Sequence, residues 1–143
     1  MENREYLLQM ESLFLALADK TRLRLLNLMR EDEICVWFFT EVTGESQPKI
    51  SRHLAYLRNA GIVSARRAGK WIHYRIEPPE NPFAAKILQD TLDWLKSQSE
   101  MQTDYKKLVS ICCSAETPVA SVADALTETN KSFKKAELEI YLL

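Results

Sequence analysis

Apolar side chains recur along this chain at two different spacings, and the change of spacing marks its parts. In EYLLQMESLFLALA, residues 5–18, Tyr6, Met10, Leu13, Phe14 and Leu17 stand three and four apart, the period of an amphipathic helix. Asp19 stands where an N-cap belongs, ahead of KTRLRLLNLMR, whose Leu23, Leu25, Leu26, Leu28 and Met29 predict a second helix with a wide buried face. The acidic turn EDE at 31–33 ends it. A short apolar segment from Trp37 to Val42 breaks at Thr43-Gly44 and leads into SQPKISRHLAYLRNAG. There Ser46 can cap, Pro48 fits a first turn, Gly61 supplies a left-handed stop, and Ile50, Leu54 and Leu57 line one helical face. The period then falls to two: IVSARR and WIHYRI flank a turn containing Gly69, which predicts a β-hairpin. In its second strand Ile72, Tyr74 and Ile76 are expected to pack inward, with Trp71, His73 and Arg75 on the other side. EPPENP at 77–82 ends the strand. Helical spacing returns over roughly 83–98, with Ile87, Leu88, Leu92, Trp94 and Leu95, and again at 103–111, with Tyr105, Leu108 and Ile111.

Two short helices joined by a glycine-containing turn, followed by a basic hairpin, read as a winged helix-turn-helix with a two-stranded β-wing, a mainly α (α+β) fold. The broad apolar surface of the helix at 83–98 exceeds what so small a domain needs, so a homodimer through the first and last helices is expected. Residues 1–98 are expected to form the winged-helix DNA-binding and dimerisation domain, 99–116 a short helical extension, and 117–143 a mobile tail. With 143 residues, 46% of them apolar, the chain suits one domain with a tail. No charged-then-apolar leader follows Met1 and no apolar run reaches ~18 residues, so the expectation is a cytoplasmic protein without a membrane span.

Charge changes this picture. The net charge is only −1, but the 31 residues from Ser46 to Ile76 hold seven basic side chains and no Asp or Glu, leaving −8 for the remainder. This stretch covers the second helix of the helix-turn-helix and the wing, which makes it a candidate phosphate-binding surface for double-stranded DNA. Gln47, Lys49, Ser51 and Arg52 are the candidates for the major groove, with His53 and Tyr56 beside them. Arg66, Arg67, Lys70 and His73 of the wing are the candidates for the flanking backbone or minor groove. Both histidines are expected to make phosphate or packing contacts.

The remaining chemistry is sulfur. Cys35, Cys112 and Cys113 are the only cysteines, a poor disulfide framework but a supply of reduced thiols, since adjacent cysteines close only a small strained ring. Two successive side chains on a regular helix diverge by about 100°, so the pair is expected at a frayed helix end where both sulfurs can turn inward.

LADKTRLRLLNLM, SQPKISRHLAYLRNAGIV and GKWIHYRI resemble the second helix, recognition helix and wing of the ArsR/SmtB metal-sensing repressors, with Lys20 where a proline is usual. The resemblance covers roughly residues 8–97. It implies a winged-helix homodimer that binds a two-fold symmetric operator and lets go when a metal or metalloid occupies its cysteines. EICVWF resembles the Cys-Val-Cys segment of arsenic and cadmium sensors, but Trp37 takes the second thiol's place, and residues 83–98 lack the histidines that zinc sensors use there. SICCS is similar to a vicinal-cysteine variant of arsenic-responsive members. The implied inducer is trivalent arsenic, arsenite or methylarsenite, with antimonite expected to behave like arsenite. With Cys35 as a third ligand beside Cys112 and Cys113 the site suits arsenite; without it, methylarsenite.

Rival classes leave weaker traces. A redox-sensing repressor of the same fold would release DNA through oxidation of Cys112 or Cys113. An enzyme is not expected, because no cysteine is followed by the glycine-rich, arginine-ended anion loop of a thiol reductase. A dimeric interaction module without DNA is the third alternative.

Overall fold

The computed structural model describes residues 2–113, and within them the side chains of residues 4–112. The expected mobile tail from residue 117 lies outside the described residues. Six helices and three short strands run in the order α1 (Glu2–Leu17), α2 (Lys20–Met29), β1 (Ile34–Cys35), α3 (Val36–Thr43), α4 (Gln47–Asn59), β2 (Val63–Ala68), β3 (Trp71–Ile76), α5 (Pro82–Ser97) and α6 (Ser99–Cys113). Local chemistry sets most of these boundaries. Asp19 accepts from the Arg22 amide at 3.0 Å and caps α2, while Ser46 accepts from the Lys49 amide at 3.4 Å and caps α4. Gly44, at φ 74°, occupies the left-handed C-cap of α3 and makes the tight turn into α4. Asn81 caps α5 by accepting from the Phe83 amide at 2.9 Å.

The core is built around α2. Leu25, Leu26, Leu28 and Met29 are fully buried, together with Phe38 and Phe39 of α3, Ile50, Leu54 and Leu57 of α4, and Leu88 and Leu95 of α5. At ~25 cal/mol per Å² of apolar area, burial of this set is the main favourable term in folding. Asp104 of α6 faces Arg24 of α2, and Met101, Tyr105, Leu108 and Cys112 of α6 join the same core. The weak helical pattern at 103–111 is thus part of a fifteen-residue helix that starts straight after an extended Gln98 and packs on α2, α3 and α5.

Two expectations about the hairpin change. The wing has its two antiparallel strands, with Arg66 opposite His73 and Arg67 opposite Ile72, but β1 pairs with β3 on its other side, so the sheet order is β1-β3-β2. The alternation read from WIHYRI assumed one open face. With β1 in place, His73 lies across from Cys35 and is buried at 2% exposure, while Ile72 is exposed and Tyr74 packs towards Phe39.

Helix α1 is inward on one stripe only. Leu13 and Ala16 are buried, whereas Tyr6, Leu7, Leu8, Phe14 and Leu15 are exposed, Leu7 at 71%. On α5 Phe83 and Trp94 are likewise exposed, at 74% and 57%. Among the described residues no helix is long and apolar enough to cross a membrane.

Candidate functional site

Two features of this fold bear on function: the face made by α4 with the wing, and the buried cysteines Cys35 and Cys112. On α4 the apolar side chains at 50, 54 and 57 face the core, which turns Gln47, Arg52, Tyr56 and Arg58 out and leaves Lys49 and Ser51 half-buried. Lys49 pairs with Glu45 at 3.0 Å, a water-exposed contact of small energetic worth. His53 is held inward, its Nδ1 3.7 Å from Asp19 and 3.4 Å from an Arg22 nitrogen. Burial raises the Asp19 carboxyl, but the Arg22 amide, the Arg22 guanidinium and His53 outweigh it and hold the group below its ordinary value.

At the wing, Arg66, Arg67 and Lys70 are exposed. Arg67 donates from Nε to the Gly69 carbonyl at 3.2 Å, which orients its guanidinium at the tip. Arg66 meets Glu33, its Nε donating at 2.9 Å, and the same Glu33 oxygen lies 4.0 Å from Nδ1 of His73. His73 is therefore packed beneath the wing, 2% exposed, where it makes the packing contact that was one of its two expected roles. The reason is β1, which the hairpin pattern alone did not reveal.

Cys35 and Cys112 both lie in the core, Cys35 just ahead of α3 and Cys112 in the last turn of α6, 2% exposed. Burial pushes the Cys35 thiol up, against a smaller opposing pull from the Trp37 amide, so it is a poor thiolate as folded. Cys112 and Cys113 are the last two residues of α6, so the pair stands at the end of a helix. The side chain of Cys113 lies outside the described residues. Among the described residues no three His, Cys, Asp or Glu side chains converge as a metal-binding group.

Sequence reasoning missed the polar links that tie α6 to the domain. Arg24 forks onto Asp104, Nε at 2.8 Å and a terminal nitrogen at 3.1 Å, in a pair only 20% and 11% exposed. The Asp104 hydrogen bond, against a smaller desolvation cost, raises the Arg24 guanidinium further above its already high value. Asn27 donates to the Met101 carbonyl at 2.9 Å, Arg30 lies 3.5 Å over the Tyr105 ring, and Lys107 reaches the Val42 carbonyl at 3.4 Å. Arg30, the C-cap of α2, adopts φ 44° with ψ −114°, a positive-φ conformation outside the left-handed helical region that side chains other than glycine rarely take. No local signal announces these pairs, whose members stand up to 80 residues apart.

Known proteins resemble this chain in sequence and in fold. Residues 19–65 match the family model described as the bacterial regulatory protein, arsR family. The chain is 42% identical over 105 residues to the arsenical resistance operon repressor of Escherichia coli, covering 73% of this chain and 88% of that one. It is 41% identical over 108 residues to the arsenic resistance transcriptional regulator ArsR1 of Pseudomonas putida, covering 75% and 83%. The solution structure of a homodimeric winged helix-turn-helix DNA-binding domain from Mycobacterium bovis superposes with a TM-score of 0.53 at 29% identity, covering 68% of this chain and 91% of that one. With a basic α4 whose polar side faces out, a wing, exposed apolar side chains on α1 and α5 and these relatives, the chain belongs to the ArsR family of DNA-binding transcriptional repressors.

Proposed function

We propose that this chain is a homodimeric repressor of a two-fold symmetric double-stranded operator, released when trivalent arsenic is taken up by its cysteine thiolates. The observation that supports this most is the position of Cys112. It is buried in a helix that packs on α2 and α3, so a ligand that captures its sulfur must disturb the scaffold of the helix-turn-helix. The arsenical resistance relatives support the class of inducer.

In this reading Gln47 and Ser51 read base edges, Lys49 and Arg52 serve bases or phosphates, and Arg66, Arg67 and Lys70 hold the flanking backbone. The exposed apolar side chains of α1 and α5 bury each other across the dimer, setting two α4 helices about one DNA turn apart, roughly 34–36 Å. Each As–S bond forms as a thiol proton leaves with an arsenic hydroxyl as water. Cys112 and Cys113 supply two such bonds, enough for methylarsenite; arsenite takes a third, for which Cys35 is the candidate. Successive helical side chains diverge by about 100°, so chelation by the pair opens the last turn of α6 and loosens its hold on α2 and α3. A coupling of ~1–3 kcal/mol between ligand and DNA is typical of such linkage.

Fluorescence anisotropy on a duplex that the protein selects from a random pool tests this, with arsenite, methylarsenite, antimonite, zinc and peroxide titrated in parallel. The expected result is release by a trivalent arsenical, lost in Cys112→Ser while DNA binding persists. An unchanged arsenite response in Cys35→Ser removes Cys35 from the ligand set. Release by peroxide alone overturns the arsenic reading in favour of a redox-sensing repressor.

A further inference from the structure

We infer that Arg22 is a positioning residue for DNA recognition, fixing the angle of α4 against the end of α1. The inference rests on reading α4 as the DNA-reading helix. Arg22 itself lies in the first turn of α2, outside the helix-turn-helix and the wing. Its Nε donates to the Ala16 carbonyl at 2.8 Å and a terminal nitrogen donates to the Leu15 carbonyl at 2.9 Å. The other terminal nitrogen is 3.4 Å from Nδ1 of His53, and the guanidinium carbon stands 4.1 Å from the centroid of the Tyr56 ring.

These four contacts suit one planar cation. Leu15 and Ala16 belong to the last turn of α1, whose carbonyls carry its negative dipole end; the Leu15 carbonyl also accepts from the Ala18 amide at 3.3 Å. His53 and Tyr56 are three apart on α4 and so share one face, which the guanidinium covers by hydrogen bond and by cation–π contact. Asp19 closes the arrangement from below, capping α2 through the Arg22 amide and standing 3.7 Å from His53. A single side chain thereby holds three helices in one geometry. A lysine has a point charge on a flexible stem and no fork, so it cannot satisfy two carbonyls and a ring together.

The consequence lies in what α1 and α4 do. Helix α1 carries the exposed Leu7, Leu8, Phe14 and Leu15 of the dimerisation face, and α4 carries the reading side chains. Arg22 links the two, so it controls how the reading helices of a dimer are presented to successive major grooves. Hydrogen bonds to base edges depend steeply on distance and angle, whereas phosphate contacts tolerate displacement. Loosening α4 against α1 therefore costs discrimination before it costs general DNA affinity.

The test uses the full chain, wild type and Arg22→Lys, on the selected duplex and on a scrambled duplex of equal length, at several salt concentrations well below the thermal midpoint. Arg22→Lys is expected to remain a folded dimer and to bind the scrambled duplex within about twofold of wild type. On the selected duplex it is expected to lose roughly tenfold, the size of one or two impaired base contacts, with an unchanged salt slope. Equal losses on both duplexes with a slope smaller by about one make Arg22 a phosphate contact and overturn the assignment. Unchanged affinities, or a lower melting temperature with an unchanged specificity ratio, overturn it as well. Wild type that selects no duplex overturns the DNA-reading assignment of α4 and this one with it, whereas a selective wild type with an indifferent variant overturns this one alone. Should Arg22→Lys fail to fold, Arg22→Gln, which keeps a planar donor without charge, carries the same test.

Discussion

Arg24 and Arg66 each fork towards one carboxylate, Asp104 in the first case and Glu33 in the second, and their surroundings give the two pairs different work. Arg24–Asp104 bridges α2 to α6 with both side chains largely shielded from water. Arg66–Glu33 lies at the rim of the sheet, with Arg66 half exposed. In the first pair each charge is fixed by the loss of its hydration and by two aligned hydrogen bonds. In the second, water competes for the pair, so Arg66 can part from Glu33 at little cost. The same two chemical groups make a structural strut in one place and an adjustable contact in the other, and burial is what separates them.

The sharpest way to break this contrast is Asp104→Ala. It leaves the Arg24 guanidinium without its carboxylate in a mostly dry site, and the expected loss is about 2–3 kcal/mol, below the range for fully buried pairs because some water reaches it. The midpoint of urea unfolding reads this directly. A loss under about 0.5 kcal/mol would make the α2–α6 pair no different from one on the surface.

Asp19 sharpens the intermediate case, since it is a third exposed and caps α2 while facing Arg22 and His53. Asp19→Ala is expected to cost about 1 kcal/mol at neutral pH, the usual worth of an N-cap. Its carboxyl is held below the ordinary value, so the stabilisation is present above the usual carboxylate range and is lost as pH falls through the folded value. The gap between wild type and variant in urea midpoint should therefore narrow between neutral pH and about pH 3. A gap that widens on acidification would reverse the sign assigned to Asp19.

The smallest effect on stability belongs to Glu33→Gln, expected within about 0.5 kcal/mol of wild type. Its readout is DNA. Removing the acid beside Arg66 should raise affinity for any duplex by about two- to fivefold at low salt, an advantage that fades as salt rises. A stability loss as large as that of Asp104→Ala, or a fall in DNA affinity, would mean that the wing pair is a strut after all.

Much of this is legible in the chain itself. The caps Asp19 and Ser46, the stop around Gly61, the hairpin about Gly69 and the excess of positive charge from Ser46 to Ile76 are all short-range signals. A cap acts over three residues, a helical stripe over four and a strand over two, so the residues that carry the information are neighbours. The exposed half of the apolar pattern on α1 and α5 belongs to the same class of evidence, since surplus apolar surface can be counted without knowing what covers it.

What the sequence by itself determined, then, was the succession of helices, the hairpin and the excess of positive charge from Ser46 to Ile76. Only the tertiary structure decided that Ile34-Cys35 adds a third strand and so buries His73, that α6 continues the core of α2, and that Arg22 spans α1 and α4. Partners such as Arg24 and Asp104, 80 residues apart, leave no mark in either neighbourhood, because their attraction is realised only after hydrophobic packing has removed the water between them.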